Sequence, residues 1–234
     1  MFHGKVTAAM RYLTNCENIK GGLVEMNDET IGELKKKHPS PAPLKEETLL
    51  HGPIEDVPVS YFDCINEEMI HRAASYTHGS SGPSHMDADH FRFILTSKHF
   101  KQSGTNLRVQ IAKLARILAT QHIDPVYLES YVCSRLIPLN KNPGIRPIGV
   151  GEVLRRIIGK SLSWTLKPDI QDAAGCLQVS SGVKSGSEAA IHFMREAFDT
   201  TAAEAVILVD ATNAFNSLNR AAICYITSKL YVQR

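Results

Sequence analysis

Asp210 stands at the end of Ala-Val-Ile-Leu-Val (205–209), and Phe215 follows five positions later. A carboxylate fixed at the end of an apolar strand suits chemistry that grips a hard cation, which takes oxygen ligands at set geometry. Lys141 and Arg146 flank Asn-Pro-Gly-Ile (142–145), and Arg155, Arg156 and Lys160 follow soon after. A guanidinium holds phosphate oxygens in a two-pronged fork, and a lysine acts as a mobile point charge. Between Ser134 and Lys167, seven Lys and Arg residues face a single acid, Glu152. That excess fits a phosphate-rich partner; the plainer reading is a solvated helix face plus a loop.

These residues need elements to position them. The spacing of Leu107, Ile111, Leu114 and Leu118 predicts an amphipathic helix through LRVQIAKLARILATQHI. Two short apolar runs flanking Asn-Lys-Asn-Pro-Gly predict a hairpin over 134–150 with a basic tip. Val153, Ile157, Leu162 and Leu166 predict a helix over 151–166 that stops ahead of Pro168. A Gly/Ser-rich loop (176–187), a helix from about Glu188 to Phe198 and the strand into Asp210 complete this part. Ser217 reads as the N-cap of a last helix. Upstream, 59–76 reads as one helix with Phe62, Ile65, Met69 and Ala73 inward, and 77–90 as a loop with Asp87 opening a helix through FRFIL. Residues 1–76 form an N-terminal extension carrying a Pro/Lys-rich linker near 35–47 (KKKHPSPAPLKEE); 77–134 is a helical region, and 135–234 the part that bears the chemistry.

Several readings are excluded or weakened. A P-loop ending in Gly-Lys-Ser (159–161) needs a glycine at 154, where leucine stands. An aspartate that accepts a phosphoryl group usually has a second acid beside it, and Ala211 and Thr212 supply none. His85, Asp87, Asp89 and His90 match no established metal spacing. No apolar run approaches the roughly 20 residues of a membrane helix, so no membrane partner is expected. Five widely spaced cysteines argue for a reducing, intracellular compartment, cytoplasmic or nuclear. For Asp210 by itself, a capped buried strand remains open, as does a core phenylalanine for Phe215.

Order adds information. A basic hairpin with Arg-Pro-Ile-Gly-Val (146–150), then Gln-Val-Ser-Ser-Gly-Val-Lys-Ser-Gly (178–186), then the strand into Asp210 follow one another. Over about 134–220 this series resembles the reverse transcriptases of retrotransposons, and SSGPSHMDADHFRFIL (80–95) resembles the region before the fingers in some retroelement proteins. The resemblance implies an α+β chain: a mostly helical N-terminal part, a fingers hairpin and the first palm strand of a polymerase. It implies RNA-directed DNA synthesis with two magnesium ions, in which a primer 3′-hydroxyl attacks the α-phosphate of a deoxynucleoside triphosphate. By the same resemblance Asp210 is the catalytic metal ligand, helped by the carbonyl of Ala211. Lys141 and Arg146 grip the triphosphate, and Phe215 excludes a ribose 2′-hydroxyl. Arg155, Arg156 and Lys160 contact an RNA or DNA template–primer, and Gln178, Gly182 and Gly186 shape a loop near the template.

One departure matters. The polymerase site calls for two further carboxylates on a later hairpin, a Gln-Gly loop and a thumb, and residues 221–234 contain no acid. The chain is therefore expected to be a truncated polymerase part, inactive alone, with a complementary polymerase segment among its partners. Two other readings stay open: a non-catalytic nucleic-acid-binding module on the fingers scaffold, and an unrelated α/β structural domain.

Overall fold

The computed structural model describes residues 22–40, 42–43, 45, 58–141, 144–175, 178–179, 183–200, 205, 207–211 and 213–219, without the side chains of Pro125 and Phe215. In chain order the elements are α1 (Asp28–Lys37), a 3-10 turn (Val59–Phe62), α2 (Glu67–Ser75), α3 (Ala88–Thr96), a second 3-10 turn (Lys98–Phe100) and α4 (Lys101–Thr120). They continue with α5 (Pro125–Val132), β1 (Ser134–Asn140), β2 (Ile145–Gly151), α6 (Val153–Thr165), α7 (Lys167–Ala174), α8 (Gly186–Thr200) and α9 (Ala214–Ser217). The described chain is thus mixed helix and sheet. Among the described residues, no helix is long and apolar enough to cross a membrane.

Two compact units share these elements. One draws on Met1–Ile54, Ser134–Gly151 and Asn213–Arg234, the other on Glu55–Cys133 and Glu152–Thr212. In the first, β1 and β2 pair antiparallel from Ser134↔Gly151 to Asn140↔Ile145, the hairpin expected over 134–150. Lys141 N–H donates to the Gly144 carbonyl at 2.9 Å and closes the turn. On the other edge of β1, Leu23 bridges Leu139 and Val24 N–H donates to the Pro138 carbonyl at 3.1 Å. Helix α1 packs on β2, burying Thr30 and Leu34, while Ile145 of the strand is itself buried. Asn27 caps α1 through Thr30 N–H at 2.8 Å.

In the second unit α2, α3, α4 and α6 pack around one apolar cluster. Ile65, Ile70, Ala73, Leu95, Ala115, Val153 and Ile157 are fully buried in it. Burying one side chain of the isoleucine or leucine class contributes about 1.5–3 kcal/mol, so this cluster holds the unit together. The single helix expected over 59–76 is divided. Asn66 Oδ1 accepts from the amides of Glu68 and Met69 at 3.1 and 3.0 Å and starts α2 afresh. Ile70 takes the fully buried place, while Phe62, Ile65 and Ala73 are inward as expected and Met69 packs partly buried against the same cluster. Asp87 caps α3 through the amides of Asp89 and His90, both at 2.9 Å, as expected. Pro168 does more than end a helix. Leu166 closes α6, and Pro168 sits in the first turn of α7, where a missing N–H costs no hydrogen bond. Tyr61 fastens α7 by donating to Asp169, a bond that raises its phenol pKa, with burial as the second cause.

One expectation fails in the last part of the chain. Residues 207–211 carry no strand, and Ile207, Leu208 and Val209 are 86–90% exposed. A strand exists only as one side of a ladder, and among the described residues the ladder partners of β1 and β2 are each other and Leu23. Ser217 is the last residue of α9, and the helix it was expected to open falls outside the described residues; Asn213, at φ 55° in the left-handed region that asparagine tolerates, precedes α9. Asn213 Nδ2 donates to the Lys37 carbonyl at 2.9 Å, tying α9 to the end of α1. Residues 220–234 lie outside the described residues.

Candidate nucleic-acid interface

Helix α6 presents Arg156, Lys160 and Trp164 at successive i, i+4 positions, one stripe along its length. The stripe faces the chain between α2 and α3. Arg156 Nη1 donates to the His78 carbonyl at 2.9 Å and Nη2 to the Ser80 carbonyl. Lys160 Nζ donates to the Tyr76 carbonyl at 2.5 Å. Gly79 has φ +103°, a backbone conformation that favours glycine, and a Cβ there would stand 3.2 Å from Arg156 Nη1. Further along, Ser84 N–H and Oγ each donate to Glu152, both at 2.7 Å. The one acid in the basic stretch is thereby spent on anchoring the loop.

Between stripe and loop lies a cleft of about 590 Å³, lined among others by His78, Arg156, Lys160, Ser163 and Trp164, with no carboxylate in its lining. Trp164 is held from two sides: the Arg72 guanidinium lies 4.9 Å from its ring centroid, and Tyr76 packs edge-on at 6.2 Å. Tyr76 keeps 60% of its surface exposed. Arg92 Nη2 donates to the Thr77 carbonyl at 2.8 Å and lies 3.0 Å from His78 Nδ1. A guanidinium only donates, so Nδ1 accepts and the His78 ring proton resides on Nε2.

The residues singled out in the sequence fall in both units. Lys141 and Arg146 are exposed at the hairpin turn and start of β2, and no other described residue engages their side chains. Arg155 Nη1 donates to the Val132 carbonyl at 2.7 Å. Beside it, burial pushes the Tyr131 phenol pKa up and the Arg155 charge pulls it down. Arg155, Arg156 and Lys160 therefore each have a structural contact, which the sequence did not foretell. Asp210 and Ala211 are exposed in the irregular stretch of the second unit. Phe215 falls in α9 of the first unit, its side chain outside the described residues, and Gly182 lies outside them altogether. Gln178 is exposed, its amide donating to the Gly175 carbonyl at 3.3 Å. Gly186 carries the close approach expected of that loop: a Cβ there would overlap the Val179 carbonyl.

Among the described residues no three His, Cys, Asp or Glu side chains gather as a metal site. Asp210 and the Ala211 carbonyl supply too few oxygens for two magnesium ions, so the described residues do not fit that pair by themselves. Tyr76, Arg72, Arg92 and Trp164 were missed. The Arg-x-x-x-Lys-x-x-x-Trp spacing in 156–164 was the available signal; their partners far away in sequence were not. Compared with protein-family models, curated proteins and solved structures, the chain matches none.

Proposed function

We propose that this chain is the fingers and motif A part of a retroelement reverse transcriptase. The observation that carries the reading is the hairpin, which presents Lys141 and Arg146 exposed and unengaged by other described residues, at the positions where the resemblance puts triphosphate-binding groups. A lysine and an arginine near a tight turn offer a point charge and a fork to phosphate oxygens. The partners are a template–primer and deoxynucleoside triphosphates, in an intracellular setting. Magnesium belongs to the complete site, for which Asp210 supplies one ligand. In this reading Asp210 and the Ala211 carbonyl supply too few oxygens for two magnesium ions, and further carboxylates must join them to complete the site.

Titrating a labelled primer–template with wild type and Arg146→Ala across salt concentrations tests the reading. Arg146→Ala should bind more weakly, with a salt slope shallower by about 0.9 for each duplex phosphate that is no longer neutralised. Equal affinity at low salt overturns the hairpin assignment. The second reading, a non-catalytic nucleic-acid-binding module, is favoured by there being no group of three His, Cys, Asp or Glu side chains among the described residues that could hold a metal ion. Binding without incorporation, even when a segment with the Asp-Asp hairpin is supplied, would select it.

A further inference from the structure

We infer that Ser84 is a phosphorylation site, and that a phosphoryl group there releases the loop before α3 from its anchor on α6. The inference needs neither Asp210 nor the hairpin and stands apart from the polymerase reading. Two stations on α6 fasten the loop. At the first, Arg156 and Lys160 donate to the carbonyls of Tyr76, His78 and Ser80. The second is Glu152, just ahead of the helix, whose two carboxylate oxygens accept from Ser84 N–H and Oγ–H, each at 2.7 Å. Main-chain carbonyls offer a modifying enzyme nothing to change, whereas the second station depends on one hydroxyl proton.

Ser84 is open to an enzyme. His85 N–H donates to the Gly82 carbonyl at 3.2 Å and closes a turn with Pro83 and Ser84 at its tip. Residues 83–86 are all exposed, and exposed tips are where a chain yields most readily to other enzymes. Asp87 and Asp89 follow at the third and fifth positions, their side chains 41% and 81% exposed. Both are held in place by partners within α3, and serine kinases choose substrates by such charge patterns. Ser60, Ser84 and Ser185 are the serines with an acid three residues on. Among the described residues, Ser84 is the one of these whose hydroxyl bonds to an element distant in sequence. In the transfer the bond from Ser84 Oγ to the γ-phosphorus of ATP forms as the bond from that phosphorus to its bridging oxygen breaks. ADP leaves, and the hydroxyl proton passes to the base of the kinase. Oγ then has no proton to give Glu152, and it carries about −1.5 to −2 charge against a carboxylate. Like charges at hydrogen-bond distance part, and the Ser84 amide leaves with its side chain. Arg156 and Lys160 still hold residues 76–80, so the loop opens at one station only.

The test incubates the full chain with ATP and a casein kinase of the acid-directed class, and locates the phosphate by mass spectrometry. Ser84 should take up phosphate. Asp87→Asn, which keeps a good cap on α3, should take it up several-fold more slowly. Hydrogen exchange then compares the chain before and after phosphorylation, in a Ser60→Ala, Ser185→Ala background so that phosphate at those serines cannot contribute. The Ser84 amide should exchange roughly tenfold faster once its bonds to Glu152 are lost. The Thr77 amide, behind the Arg156 and Lys160 contacts, should keep its rate. In Glu152→Gln the side-chain amide can donate to a phosphate instead of repelling it, so phosphorylation should not speed exchange there. No phosphate at Ser84, an uptake in Asp87→Asn equal to wild type, or Ser84 exchange that phosphorylation leaves unchanged each overturns the inference. Equal acceleration in Glu152→Gln would mean that bulk and not charge opens the loop, and overturns it as well.

Discussion

Arg156→Ala separates a loop clamp from a phosphate ligand. In the structure both terminal nitrogens already serve the 78–80 turn, and the Nε–H is buried without a partner among the described residues. Removing the side chain deletes two charge-assisted bonds to carbonyls that water can reach. A net value of about 0.5–1.5 kcal/mol applies to an ordinary bond, and the lower part of that range suits exposed pairs. The sum is about 1–2 kcal/mol, which corresponds to a population of open loop roughly 5–30 times larger. Glu152 continues to hold Ser84, so the loop should loosen without the unit unfolding. Hydrogen exchange measures this directly. The amides of Thr77 and His85, each bonded at 3.2 Å, should exchange faster by that factor, while the Ser84 amide held by Glu152 and the amides in α4 stay unchanged. Arg156→Lys, a shorter fork-less cation, should show most of the same effect. Unchanged exchange in the loop with weakened oligonucleotide binding would refute the clamp and make Arg156 a ligand of phosphate.

Gly186→Ala should destabilise by about 1–3 kcal/mol or more, because its Cβ meets the Val179 backbone oxygen and not a movable side chain; a thermal midpoint equal to wild type would contradict that packing. Asp87 has its carboxyl pKa held below the usual value, chiefly by the His90 backbone amide. A depressed folded value means its stabilising contribution is full above the unfolded pKa and fades as pH falls through the folded one. Asp87→Asn should accordingly flatten the acid limb of the stability profile below about pH 4, and an unaltered limb would count against the cap. The bare run Ile207-Leu208-Val209 should make the isolated chain self-associate with rising concentration. Leu208→Lys should abolish this in sedimentation, and persistence of the oligomer would place the contact elsewhere.

Sequence periodicity alone determined the hairpin and the helices α4, α6 and α8, because their apolar spacing or turn residues act locally. Asp87 was legible as a cap for the same reason, its side chain reaching amides two and three residues on. The course of the chain into Asp210 was not legible. Apolar run and β-propensity state only that a segment can pair, and pairing depends on a partner that a local window does not contain. Likewise the basic residues of α6 read as free cations, since nothing in 151–166 shows that carbonyls at Tyr76, His78 and Ser80 accept from Lys160 and Arg156. Tertiary structure decided that these charges fasten a loop, and by fastening it brought Tyr76 beside Trp164 from a distant part of the chain. A side chain's partners across such a separation follow from how helices pack, and packing is a property of the whole core.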